Sequence, residues 1–240
     1  MKFFWSRQHG AYITVIIGWL YAILRGGEFN WIHPVLLIWV LAGLHVTELG
    51  SMWVKSGRVR FKPYFPIFLI YLFLTVAGLV TVFLFLPDPE LPAFFLLVLG
   101  IVTAILFASR LQKTLPAEWL IFSAFTLIPF LGSPWMLNRH YSHLFIEWLP
   151  VGLYFCMTPV LLKIRIREIK SWGIIPYVLL AGGFLVYMGT LPAVLIAGLI
   201  LLKGILVFLF VEKYVRLKIP IIGWIETVLA AGILGIAAFS

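Results

Sequence analysis

Residues 172–211 read WGIIPYVLLAGGFLVYMGTLPAVLIAGLILLKGILVFLFV, between Lys170 and Lys213, with Lys203 the single charged side chain inside the stretch. A helix needs about 20 consecutive apolar residues to cross the hydrocarbon layer, and this run is long enough to do so twice. Gly189-Thr190, followed by Pro192, marks the break between the two passes. The segment therefore reads as a membrane hairpin of helices over 172–188 and 191–211.

The rest of the chain repeats the pattern. Of 240 residues, 63% are hydrophobic and 11% charged, against roughly a quarter charged in water-soluble domains. Apolar runs separated by polar or Pro/Gly segments predict nine transmembrane helices, near 10–24, 34–53, 65–86, 91–109, 116–137, 144–162, 172–188, 191–211 and 219–239. Nine spans use nearly the whole length, so residues 1–240 read as one polytopic all-α transmembrane domain with no soluble domain beside it. Met1-Lys2 followed by Phe3-Phe4-Trp5 lacks the three-part layout of a cleaved signal peptide, so the first run is expected to remain as a helix. Cys156 is the only cysteine, which excludes an internal disulfide and a multi-cysteine metal site. A small packing role is expected for it.

The net charge of +9 is distributed by membrane side. With the N-terminus inside, the inner segments carry Lys2, Arg7, Lys55, Arg58, Arg60, Lys62, Arg110, Lys113, Lys163, Arg165, Arg167, Lys170, Lys213, Arg216 and Lys218, which is fifteen of the 18 Lys and Arg residues. Arg25 and Arg139 fall outside. This is the asymmetry of the positive-inside rule, so the positive charge sets orientation and touches anionic lipids instead of nucleic acid. The expected placement is a multi-pass protein of the inner (cytoplasmic) membrane, N-terminus inside and C-terminus outside. Two of the inner basic segments echo each other: Lys55-x-x-Arg58-x-Arg60 before Tyr64 and Pro66, and Lys163-x-Arg165-x-Arg167 before Trp172 and Pro176. Four helices separate them, so a duplication would be parallel in orientation.

Ionisable groups inside hydrocarbon cost several kcal/mol unless paired or hydrated, which makes them the best pointers to function. Lys203 lies about eight residues above the inner end of the eighth span and Glu226 about eight above that of the ninth, both ~12 Å deep at about 1.5 Å per residue. Equal depth on adjacent antiparallel helices makes them expected partners. His45 and Glu48 are one turn apart on one face of the second span. His-x-x-Glu also occurs in bundle metal sites, but there other helices supply further ligands, so a buried hydrogen-bonded pair of His45 and Glu48 is expected in place of a metal site. Arg7-Gln8-His9-Gly10-Ala11 puts a cation, an amide and an imidazole at the inner mouth of the first span. Glu118, after Pro116, stands in the first turn of the fifth span, where a carboxylate complements the helix dipole. All of these fall in the inner third of the membrane. Glu28, Asp88, Glu90, Arg139, His140 and His143 read as solvated or interfacial loop residues, and His33 before Pro34 as part of the same outer surface. The asymmetry predicts a polar pocket open to the cytoplasm.

Four short segments carry a family resemblance: Gln8-His9-Gly10-Ala11, the stretch from Lys55 to Tyr64, Val160 to Glu168, and Ile222-Gly223-Trp224-Ile225-Glu226. In this order they resemble the YwiC-like family of bacterial membrane proteins, a likeness that implies a membrane protein and names no reaction. The layout of nine helices with functional segments after the second and sixth is also similar to the UbiA-type intramembrane prenyltransferases. That likeness implies a prenyltransferase-like bundle, in which two Asp-rich motifs hold Mg²⁺ against a prenyl diphosphate. Here the only Asp is Asp88, on the outer side, and Lys and Arg stand in the corresponding segments. A magnesium-diphosphate site is therefore not supported, and no cofactor is implied. Lys and Arg would contact a phosphate directly.

The leading functional reading is a pocket for an amphipathic lipid with an anionic head, such as a prenyl lipid. Arg7, Gln8, His9, His45, Glu48, Arg58, Arg60, Lys163, Arg165, Arg167, Lys203 and Glu226 are the candidate binding residues. If bonds are made there, His9, Glu48 or Glu226 would supply the general acid or base. A transporter using Lys203 and Glu226 as a proton or ion relay is the alternative. A third reading is a non-catalytic subunit or assembly factor with a protein partner, suggested by Ala230, Ala231, Gly232 and Gly235 in the ninth span, where small residues permit close helix contact.

Overall fold

The computed structural model describes residues 9–85, 114–165, 168–217 and 219–239. Ten α-helices occur among them: α1 (His9–Gly26), α2 (Ile32–Phe61), α3 (Phe65–Phe85), α4 (Leu115–Leu127), α5 (Pro134–Leu137), α6 (Tyr141–Arg165), α7 (Ile174–Met188), α8 (Leu191–Leu209), α9 (Val211–Arg216) and α10 (Ile219–Phe239). No strand occurs among the described residues.

Six helical stretches are long and apolar enough to cross a membrane: Ile32–Gly50, Lys62–Phe85, Tyr141–Arg165, Ser171–Met188, Leu191–Leu209 and Ile221–Phe239. Tyr12–Gly26 and Glu118–Gly132 are shorter apolar helices. These eight correspond to eight of the nine expected spans. The ninth, 91–109, lies outside the described residues, as do Asp88 and Glu90.

Local chemistry fixes the breaks. Gly27 and Gly189 close α1 and α7 with φ of +68°, a left-handed conformation that glycine adopts without steric cost. Thr190 and Thr114 precede α8 and α4, each of which carries proline in its first turn. Several boundaries differ from expectation. The second span continues as helix through the basic stretch to Phe61, because Pro63 is the first residue that cannot extend it. The fifth span stops at Leu127: Pro129 and Gly132 turn Ile128–Gly132 into a 3₁₀ segment, and Pro134 opens the short α5. The eighth span ends at Leu209, and α9 begins after Phe210.

Packing sets α6 in the centre. Of its apolar window 61% is buried, against 17% in those of α3, α7 and α10. Val151, Tyr154 and Met157 of α6 are fully buried, and Val160, Leu161 and Ile164 nearly so. Helix α4 packs along α6, α1 lies against α10 and α4, and the pairs α2/α3 and α7/α8 flank them. Glycine permits two of these approaches. A Cβ on Gly78 of α3 would stand 2.6 Å from the Trp39 side chain of α2, and one on Gly204 of α8 would stand 2.5 Å from Val178 of α7. In α10 the inward face is Ala230, Ile233 and Ala237. A Cβ added at Gly232 or Gly235 would meet nothing within 4 Å, so these two positions, unlike Ala230, face open space among the described residues.

The outer faces are as apolar as the core. Leu180 is 75% exposed, Leu84 71%, Phe73 70% and Tyr187 87%. A surface of this composition is unstable in water and is the normal lining of a helical bundle in a bilayer.

Candidate functional site

Lys203 of α8 and Glu226 of α10 meet in the half of the bundle that carries the basic segments. Nζ donates to the Glu226 carboxylate at 2.6 Å, and Lys203 is only 4% exposed. The ammonium also sits 4.7 Å from the centre of the Tyr154 ring of α6, so it exchanges water for a carboxylate and an aromatic face. The Glu226 carboxylate acts electrostatically on the phenols of Tyr154 and of Tyr214 in α9. Burial first, and Glu226 second, hold the Tyr214 phenol above its ordinary range, while Arg165 opposes the shift.

The end of α6 is tied down by its own basic residues. Lys163 Nζ bonds Glu168 at 2.8 Å and lies 3.8 Å from Glu118. Glu118, which stands in the first turn of α4 as expected, thus also links α4 to α6. Arg165 donates to the Leu217 carbonyl at 3.0 Å, closing the C-terminal end of α9. Lys163 and Arg165 therefore brace the bundle.

His45 belongs to another group of helices. Its Nε2 is 3.0 Å from the Tyr12 hydroxyl of α1, and its ring stacks on Tyr71 of α3 at 4.3 Å and 13°. Glu48, one turn along, acts on the imidazole electrostatically, and its Oε2 is buried without a hydrogen-bond partner among the described residues, so Tyr12 takes the place expected for Glu48 at His45. The structure thus brings Lys203 and Glu226 together, and sets His45 and Glu48 among α1, α2 and α3. His9 opens α1 and the backbone at Arg58 and Arg60 continues α2, but their side chains fall outside the described set; Arg7, Gln8 and Arg167 lie wholly outside it.

A cavity of about 480 Å³ opens where the end of α6 meets α9. Lys170, Ser171, Trp172, Glu212 and Arg216 line it, together with Ile164, Ile169, Val211 and Val215. No group of three or more His, Cys, Asp and Glu side chains suited to a metal ion occurs among the described residues.

The opposite half corrects two expectations. His33 is fully buried instead of solvated: its Nδ1 accepts from the Asn30 backbone N–H at 3.2 Å, and its carbonyl accepts from Trp19 Nε1 at 2.7 Å. Asn30 in turn donates to the Gly132 carbonyl at 2.8 Å, so His33 is enclosed by the 3₁₀ segment that replaces the end of the fifth span. The second correction is a charged pair that the sequence reading leaves out. Arg25 of α1 grips Glu147 of α6 through two bonds of 2.7 and 2.9 Å. The signal was present, since Glu147 is a carboxylate inside an apolar run. The fully buried Tyr21 lies within the field of both charges.

Apolar spans around a central helix, with part-buried ion pairs between the helices, define a multi-pass helical membrane protein in a lipid bilayer. The chain belongs to the YwiC-like family: the model of that family, described as YwiC-like protein, matches residues 5–133, which run from just before α1 through α4 and its 3₁₀ extension. Comparison with curated proteins and with solved structures returned no match.

Proposed function

We propose that this protein sits in the cytoplasmic membrane of a bacterium with its basic end inside, and there binds an amphipathic lipid with an anionic head, of the prenyl phosphate type. The observation that carries the reading is the cavity between α6 and α9. Its size is within the roughly 300–1,000 Å³ range of small-molecule sites. Lys170 and Arg216 outnumber Glu212 on its wall, Ser171 adds a donor, and the exposed Trp172 is suited to the membrane–water boundary. Ile164, Ile169, Val211 and Val215 offer an apolar surface beside the charged groups. Lys and Arg would hold the head by charge-assisted bonds without a metal. The prenyltransferase-like arrangement remains part of this proposal and rests on helix layout. Should the lipid be modified, His9, Glu48 and Glu226 are the groups able to move a proton.

The test is native mass spectrometry of the detergent-purified protein with polyprenyl phosphate and, separately, phosphatidylcholine. Retention of the phosphate lipid, reduced in Lys170→Gln/Arg216→Gln, supports the reading. Equal retention of both lipids, or no effect of the double substitution, refutes it.

A further inference from the structure

We infer that one face of α6, with the facing side of α1, forms a proton path across the membrane that passes through Glu226. It does not rest on the head-group reading. Glu147, Tyr154 and Arg165 are separated by seven and eleven residues, close to two and three turns, so they share one side of α6. At about 1.5 Å per residue the three span ~27 Å, close to the ~30 Å hydrocarbon thickness. The central helix of this bundle thus carries a polar group at each end and in the middle of its buried side.

Each position is matched from a neighbouring helix. Arg25 holds Glu147 at one end. Tyr21 is one turn from Arg25 on α1, and Thr14, 1% exposed, is two turns further along the same face. In the middle, Lys203 and Glu226 meet beside Tyr154. Toward the basic end, Tyr214 lies within the fields of both Glu226 and Arg165.

Two ion pairs alone would be explained as locks between helices. The tyrosines are not explained that way. Tyr21 and Tyr154 are both completely buried, and neither hydroxyl has a hydrogen-bond partner among the described residues. Phenylalanine would fill the same space without the cost of burying a hydroxyl. A buried hydroxyl is ordinarily satisfied, and water is the group that would satisfy these two. A phenol donates and accepts at once, so in a relay of phenol and water each group takes up one proton, releases another and returns to its neutral form.

The proton step is simple. A proton reaching Glu226 turns the carboxylate into a carboxylic acid; the hydrogen bond from Lys203 loosens, and the ammonium keeps its own proton over the Tyr154 ring. Loss of the proton toward Tyr214 restores the ion pair. Only O–H bonds form and break.

The test uses the full chain reconstituted in vesicles that enclose a pH-sensitive dye, with a pH gradient imposed and the membrane potential clamped. Wild-type vesicles should acidify faster than protein-free vesicles. Tyr154→Phe, which preserves packing, and Glu226→Gln should each return the rate to the protein-free background while retaining the elution profile of the folded protein. A wild-type rate equal to background overturns the proposal, as does a wild-type rate in folded Tyr154→Phe or folded Glu226→Gln.

Discussion

Removing either member of the Lys203–Glu226 pair should unfold the protein at a markedly lower temperature, and removing both should restore much of the loss. The contact is 2.6 Å, Lys203 is 4% exposed and Glu226 17%, so neither charge can turn to water when its partner is lost. An orphaned buried charge of this kind costs about 3–5 kcal/mol. For a chain of this size each kcal/mol shifts the midpoint by roughly 2–4 °C, so Lys203→Met or Glu226→Gln should lower Tm by roughly 6–20 °C. Lys203→Met with Glu226→Gln leaves no charge to desolvate, and the methionine still covers the Tyr154 ring. The double variant should therefore lie well above the sum of the single losses, since residues in contact do not act additively. Thermal unfolding of the four proteins in one detergent measures the cycle. Strictly additive losses would mean that the pair does not couple α8 to α10, and would refute the energetic reasoning.

Gly78→Ala and Gly204→Ala should each cost about 1–3 kcal/mol, because the added methyl meets Trp39 or Val178, whereas Gly232→Ala in open space should be harmless; equal midpoints for all three would contradict the close approaches. In intact cells a membrane-impermeant maleimide should label Thr190→Cys and not Lys170→Cys, with Cys156 too buried to contribute background; the reverse pattern would invert the proposed orientation. Incubation with Mg²⁺, a prenyl diphosphate and an aromatic acceptor should give no prenylated product, and robust magnesium-dependent transfer would show that carboxylates other than aspartate form such a site.

Hydrophobicity alone determined the class of this protein, because a chain with so few charges cannot cover a water-facing surface. Regular spacing also put Lys203 and Glu226 at one depth, since helical rise is the same for every sequence. Tertiary structure decided what depends on helices meeting. Glu147 is a lone carboxylate that the sequence leaves without a partner, and becomes half of a part-buried pair only because α1 brings Arg25 to it. His33 reads as a surface residue until the 3₁₀ turn at Ile128–Gly132 folds over it. Lys163 and Arg165 read as candidate binding residues on the inner side, yet they brace α4 and α9, because a charge at a helix end is claimed by whatever carboxylate or carbonyl the packing brings within reach. Sequence periodicity fixes which residues share a face of one helix; which faces touch is settled by where Gly78 and Gly204 let backbones close and by the central position of α6.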